Sequence, residues 1–176
     1  PVLSHSVLVR DSDDQPLGPV GPRFVPTQNR DAFEFFKRFT SVGDMSMETA
    51  GSLKGGKQVW GLAKIKDGFT LAGGDDVEGY MLVAVSHEWG KANEIRFTPI
   101  RVVCNNTLTM ALRDQRSNGI FKMPHVKAFD QEVIVEAEIA LGLASEKMLE
   151  YKQNATFLAS KSYTKEDVVT YIADLF

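Results

Sequence analysis

The chain has few of the features that mark secreted, membrane-spanning or strongly basic proteins. Its 176 residues include a single cysteine, so no internal disulfide can form and a reducing, cytoplasmic location is expected. Its longest apolar runs fall well below the roughly 18 residues that a membrane-spanning helix needs. The first residues lack the basic and hydrophobic regions of a signal peptide. The net charge of −3 argues against a strongly basic nucleic-acid binder.

Motifs of the common enzyme classes are also missing. The sequence contains no Gly-x-x-x-x-Gly-Lys-Ser/Thr phosphate loop, no Gly-x-Ser-x-Gly turn, no His-Glu-x-x-His motif and no Cys-x-x-Cys pair. We therefore expect a protein without a catalytic residue, and we predict neither a cofactor nor a bound metal.

Two weaker patterns leave a metal site open as an alternative. Gly73-Gly-Asp-Asp76 could hold Mg²⁺ through adjacent carboxylates, but turn chemistry explains the same four residues. His87, Glu88, Cys104 and His125 could form a zinc site only if at least three of them converge. The sequence favours a hydrogen-bonded loop histidine and an inert, buried Cys104 thiol instead.

Periodicity predicts an α+β fold built on an antiparallel β-meander. A helix with a phenylalanine stripe (Phe33, Phe36, Phe39) is expected to lie across the sheet. Strands are predicted at Met45 to Leu53 and at Lys57 to Ile65, with a hairpin turn at Lys54-Gly-Gly56. Further strands are predicted at Tyr80 to Ser86 and at Ile95 to Val103. Because Pro99 lies within the last strand, that strand is expected at an edge or a bulge.

The last third of the chain is predicted to be helical. Val133, Ala137, Leu141, Ala144 and Met148 form an apolar stripe that would pack on the chain's own core or on a second copy. Thr164-Lys-Glu-Asp167 resembles a capping box that opens a last helix. We expect a β-rich core domain with two helices over residues 1–127 and a C-terminal helical segment over residues 128–176.

Charge is distributed unevenly along the chain. Residues 50–127 contain 11 basic and 7 acidic side chains, whereas residues 128–176 contain 4 basic and 9 acidic ones. A basic centre beside an acidic segment fits a polyanion-binding face with a separate helical unit, although an ordinary scatter of surface charge explains it equally. The candidate DNA-binding residues are cations with one stacking aromatic: Lys54, Lys57, Lys64, Arg96, Arg101, Arg113, Arg116 and Trp60.

The segment Arg101-Val-Val-Cys-Asn-Asn-Thr-Leu108 is the most distinctive in the sequence. An apolar strand-like run ends in two asparagines, which are preferred helix N-caps, so Asn105 or Asn106 is predicted to open a helix. The residues of this segment resemble the signature of the phage/plasmid-like protein family described as domain of unknown function 932. Blocks at Leu17 to Gly21, Phe24 to Asn29 and Glu48 to Trp60 resemble other parts of that family.

A fourth block runs from Asp76 through Ser86-His-Glu-Trp-Gly90, where the family resemblance leads us to expect Ser-His-Asp-Gly. Members of the family carry more sequence ahead of the first block, so Pro1 is expected to mark a processing boundary or the start of a fragment. The resemblance implies a gene product of a mobile element, but it implies no activity by itself.

These observations lead to one main functional hypothesis and two alternatives. A hairpin-rich sheet followed by a helix is similar to the cores of single-strand annealing recombinases, a fold-level analogy only. We therefore expect an accessory protein of DNA recombination or replication that binds single-stranded DNA without catalysis and self-associates. The first alternative is an interaction protein that binds or inhibits a host factor. The second is a metal-dependent nuclease using His87, Glu88, Asp75 and Asp76.

Overall fold

The fold of the chain is α+β, as the sequence predicts. The computed structural model describes residues 4–42, 45–66, 68–70, 74, 76–113, 120–126, 135, 139, 142 and 149–175. The strands are β1 (Ser6–Arg10), β2 (Gln15–Val20), β3 (Met45–Leu53), β4 (Gln58–Ile65), β5 (Phe69–Thr70), β6 (Asp76–Val77), β7 (Tyr80–Ser86), β8 (Asn93–Thr98) and β9 (Ile120–Met123). The helices are α1 (Asn29–Val42), α2 (Asn105–Arg113), α3 (described over 149–159) and α4 (Lys165–Leu175).

A five-stranded antiparallel sheet in the order β3-β4-β7-β8-β9 forms the centre of the molecule. Successive residues of a strand point to opposite faces, and the sheet has an apolar core on each face. On one face, α1 buries Phe35 and Phe36 against Ala63 and Val83. On the other face, α2 buries Leu108 and Ala111 against side chains of the strands: Trp60, Leu62, Tyr80 and Leu82.

The sheet differs from the predicted meander at three points. Strand β8 ends at Thr98, so Pro99 follows the strand instead of interrupting it, and β8 is paired on both sides, by β7 and β9. Strand β9 follows α2 and was not predicted. The short strands β5 and β6 pair only with each other, outside the central sheet.

The β3–β4 turn is the predicted one and closes with a 3₁₀ turn at Lys54–Gly56. Its backbone adopts positive φ at Lys54, Gly55 and Gly56, which two glycines tolerate without strain. The hairpin of β1 and β2 lies beside this turn, because Arg10 Nη1 donates a hydrogen bond of 3.1 Å to the Gly55 carbonyl oxygen.

The described part of the C-terminal region is helical. Ala155 of α3 packs against the α1-side core, and the Tyr151 ring lies 6.2 Å from the ring of Phe69. The predicted capping box at the start of α4 is confirmed, since the Thr164 amide donates to Asp167 and the Asp167 amide donates to Thr164. The predicted stripe from Val133 to Met148 lies outside the described residues. No described helix is both long and apolar enough to cross a membrane.

Candidate functional site

Three of the predicted surface cations are paired with glutamates. Lys54 lies 3.3 Å from Glu88, and Arg101 lies 2.6 Å from Glu48. Lys64 pairs with Glu78, which also accepts a hydrogen bond from the Tyr80 hydroxyl. These pairs are partly exposed, so each contributes little to stability. The glutamates nevertheless neutralise the positive charge of three lysine and arginine side chains that the sequence analysis counted as available to bind DNA.

Two of the predicted DNA-binding residues are interior residues. Arg96 is 1% exposed, donates to the Ala111 carbonyl oxygen at 2.5 Å and lies 3.1 Å from Glu94. Trp60 is 4% exposed and belongs to the core under α2. The expectation that these two side chains face DNA is therefore corrected, because alternation along β4 and β8 directs both of them beneath a helix.

The remaining predicted cations do not form one cluster. Lys57 follows the β3–β4 turn and is seven residues from Lys64, a separation of about 23 Å along a strand. Arg113 is exposed at the end of α2, and Arg116 lies outside the described residues. The sequence-predicted set is therefore spread over both ends of the sheet.

The residues proposed for a metal site are also only partly brought together. Cys104 is exposed at the start of α2, which corrects the prediction of a buried thiol. Its carbonyl oxygen accepts the first helical hydrogen bond, from Leu108, so Cys104 is the N-cap and not Asn105 or Asn106. Among the described residues no group of three His, Cys, Asp or Glu side chains could hold a metal ion. Gly73 and Asp75 lie outside that part of the chain.

A cleft of about 400 Å³ lies beside the turn that joins β7 to β8. The turn contributes Trp89, which is 61% exposed, and Lys91. The segment after β2 forms the opposite wall with Arg23 and Phe24, and His125 lies behind it. The lining contains two cations, Arg23 and Lys91, and no carboxylate, and Lys91 is paired with the nearby Glu88.

Local contacts fix the position of this turn. Glu88 bonds Lys91 at 2.6 Å as well as Lys54, which ties the β7–β8 turn to the β3–β4 turn. The Ser86 amide donates to Asn93 Oδ1 at 3.0 Å, and Asn93 Nδ2 donates to Thr27 at 2.7 Å. Trp89 therefore stands on a turn that is held at its base, although its own side chain reaches solvent.

A second cavity, of about 310 Å³, lies on the other side of the same turn. Gly90, Lys91 and Ala92 line both cavities, so Lys91 stands between them. The lining of the second cavity is partly polar and partly apolar, and on the α2 face of the sheet it includes Gln58, Ser86, Glu94, Leu112 and Lys122. The two cavities are therefore neighbours at the β7–β8 turn.

Two buried histidines support the wall of the cleft. His125 stacks on Phe24 with ring centroids 4.3 Å apart, and its Nδ1 lies 3.2 Å from the Val25 carbonyl oxygen. His87 Nε2 lies 3.0 Å from Asn29 Oδ1. Burial lowers the pKa of both rings below the ordinary value, and repulsion from His125 in its protonated form lowers the pKa of His87 further. Both are therefore neutral at physiological pH.

The sequence reasoning missed Trp89, Arg23, Phe24 and Lys91. It selected Trp60 as the stacking aromatic because residue type and basic neighbours were the only criteria. A usable signal was present, since Trp89 follows Ser86-His87-Glu88 and precedes Gly90 in a turn between two strands. Binding residues are disproportionately found on such connecting segments.

The comparisons with known proteins are confined to one family. No curated protein and no solved structure matches the chain. The model of the family described as domain of unknown function (DUF932) matches residues 16–176, which is most of the chain and includes every residue that lines the two cavities. The chain therefore belongs to the DUF932 family.

Proposed function

We propose that this protein is an accessory factor of DNA recombination or replication that binds single-stranded DNA without catalysis. The observation that carries the proposal is the cleft beside the β7–β8 turn, where exposed Trp89 stands with Arg23 and Lys91 and no carboxylate lines the walls. Non-specific single-strand binders combine cations that contact phosphate with aromatic faces on which bases stack.

The arrangement of cations supports a path for the strand over the turn. Lys91 lies between the two cavities, and Lys122 lines the second one. Lys57 is close to the turn because its carbonyl oxygen accepts a hydrogen bond from the His87 amide at 2.8 Å. Glu88 neutralises part of this charge, so we expect moderate affinity with a clear dependence on salt.

The exposed indole favours single strands over duplexes. A base in a duplex is already stacked on its neighbours, whereas an unpaired base has a free face for Trp89. A neutral aromatic in the middle of a phosphate-binding cleft gives a duplex no comparable contact.

The fold and the family fit an annealing role. An antiparallel sheet built from hairpins and followed by a helix is similar in outline to single-strand annealing recombinase cores, and the resemblance to phage and plasmid proteins suggests an element with its own recombination factors. We further propose self-association through the C-terminal helices. Tyr171 and Ile172 of α4 are largely exposed, and so is Val168.

Titration of fluorescently labelled DNA tests the proposal. The single strand should bind more tightly than the matched duplex at low salt and should weaken as salt rises. Replacement of Trp89 by Ala should weaken binding about 5- to 100-fold, the range for loss of one stacked base, whereas Trp89→Phe should retain most of it. Arg23→Glu should weaken binding, and Arg38→Glu on the exposed side of α1 is the matched control. Absence of binding at low salt would refute the proposal.

The competing function is that of an interaction protein that binds a host factor. The observation in its favour is α4, which combines exposed Tyr171 and Ile172 with the acidic residues Glu166, Asp167 and Asp174. The same titration separates the two functions, since an interaction protein that acts through α4 has no need of DNA. Charge reversal at Arg23 would then change nothing that the protein does.

A further inference from the structure

We propose that the second cavity recognises the Watson–Crick edge of cytosine or adenine in the bound strand, where an amino group lies next to an unprotonated ring nitrogen. The inference rests on the proposed function and adds a sequence preference to it. The supporting observation is Gln58, which is 8% exposed and lines the cavity, and whose side-chain amide has no hydrogen-bond partner among the described residues.

The Gln58 amide is open to the second cavity and is not fully removed from water. The first residue of β4 points Gln58 to the α2 face, where Leu112 of α2 also lines the cavity. The amide oxygen can accept hydrogen bonds and the amide N–H₂ group can donate them. A ligand that enters the cavity would replace water at this donor and acceptor.

The other polar groups of the cavity define what the ligand must present. Glu94 is a carboxylate and accepts hydrogen bonds only. Its oxygens lie 3.5 Å from Lys122 and 3.1 Å from Arg96. The Ser86 hydroxyl oxygen accepts the Glu88 amide at 3.3 Å, which leaves its O–H to donate. The site therefore fits a ligand that places an amino group at Glu94 and, next to it, an acceptor for the amide of Gln58 or the hydroxyl of Ser86.

Cytosine and adenine meet this requirement. Cytosine and adenine each place an N–H₂ donor next to a ring nitrogen acceptor, and an amide such as that of Gln58 can bind such a pair in a bidentate manner. A carboxylate is the preferred acceptor for the cytosine amino group. Thymine places a carbonyl oxygen where cytosine has its amino group, and that oxygen would face Glu94 with no proton between them.

The position of the cavity suits a base of the same strand that stacks on Trp89. Both cavities are lined by Gly90, Lys91 and Ala92, so a phosphate beside Lys91 would leave one base to each side of the turn. Stacking in the cleft tolerates any base, whereas hydrogen bonding in the second cavity selects among them.

Binding of oligo-dC and oligo-dT of equal length tests the inference, because the two strands carry the same charge and differ at the base edge. The measurement is made at mildly alkaline pH, where oligo-dC remains an unpaired strand. We expect the unmodified protein to bind oligo-dC about fivefold or more tightly than oligo-dT, the lower end of the range for one good base contact.

Two variants assign the preference to Gln58. Gln58→Met keeps the length of the side chain and removes the amide, so it should equalise the two affinities. Gln153→Met makes the same change at an exposed position of α3 and should leave the preference intact. A folded Gln58→Met protein that still prefers oligo-dC would refute the inference.

The affinities of the unmodified protein for oligo-dC and oligo-dT test the inference even if the Gln58→Met variant fails to fold. Equal affinities, or a preference for oligo-dT, overturn the inference and leave the proposed function standing. Failure of both strands to bind at low salt overturns both together. A preference for oligo-dC that Gln58→Met abolishes supports both.

Discussion

Trp60 covers its cross-strand neighbour Gly51, and no other residue fits beneath it. The two residues are directly opposite each other on β4 and β3, and a Cβ atom at Gly51 would stand 2.8 Å from the indole ring. The indole is buried among Leu62, Tyr80 and Leu108, so it has no direction in which to move. Glycine is therefore required at position 51 by packing.

We predict that Gly51→Ala destabilises the protein by about 1–3 kcal/mol, the usual cost of overpacking a core. Urea denaturation measures the change in the free energy of unfolding. Gly142→Ala is the control, because a Cβ there has no heavy atom within 4 Å and alanine favours a helix. Equal stability of Gly51→Ala and the unmodified protein would show that Trp60 can move.

A second prediction separates the two arginines of the candidate set. Arg96→Ala should destabilise the protein by about 3–5 kcal/mol, because it leaves the Glu94 carboxylate beside an emptied buried site and removes the bond to Ala111. Arg101→Ala should change stability by at most about 1 kcal/mol, since its pair with Glu48 is exposed to solvent. Thermal and urea denaturation of both variants give the comparison, and similar losses from the two would contradict this assignment.

The local patterns of the sequence predicted the β3–β4 turn and the capping box of α4 correctly, but placed the N-cap of α2 one or two residues too late. The Lys54-Gly-Gly56 turn and the capping box at Thr164 are decided within a few residues, so the sequence contains all that determines them. Strand β9 was missed because four residues give little periodicity, and the strand forms by pairing with β8, some 25 residues earlier in the chain.

The candidate site was less predictable because it depends on which distant residues meet. Arg101 pairs with Glu48, 53 residues away, and Lys54 pairs with Glu88, 34 residues away. A count of cations in the sequence cannot include such pairings. The choice of Trp60 instead of Trp89 as the stacking aromatic was wrong for the same reason. Trp60 is buried because α2 covers that face of β4, and the sequence does not show which strand a helix covers.

A third prediction concerns the pH dependence of stability. The pKa values of His87 and His125 are lowered below the ordinary 6.5 because both rings are buried. In the interval between the lowered values and 6.5, the unfolded chain binds more protons than the folded one. The free energy of unfolding therefore does not depend on these two histidines above about pH 6.5. Below that pH it falls as the pH falls, with a limiting slope of about 1.4 kcal/mol per pH unit for each histidine.

Urea denaturation at a series of pH values measures this slope. Replacement of His87 or His125 by Gln should flatten it whatever its effect on stability at neutral pH. His5→Gln is the control, because His5 is exposed and bonds only Ser4 among the described residues, apart from its edge contact with Trp89. A slope that survives both buried substitutions would assign the pH dependence to other groups.

The last prediction concerns Cys104, whose exposure corrected the sequence-based expectation. Its thiol lies at the N-terminus of α2, and hydrogen bonds from the Thr107 side chain and from the backbone of Thr107 and Asn106 lower its pKa. The thiolate is the reactive form of cysteine, so the native protein should react with iodoacetamide at a lower pH than a free cysteine does. Thr107→Val removes the hydroxyl and should move the midpoint of the rate-against-pH curve upward. The control is Thr109→Val in the same helix. Among the described residues the Thr109 hydroxyl bonds only the Asn105 carbonyl oxygen, so its removal should leave the midpoint unchanged. A thiol that reacts only after the protein is unfolded would show instead that Cys104 is covered in solution.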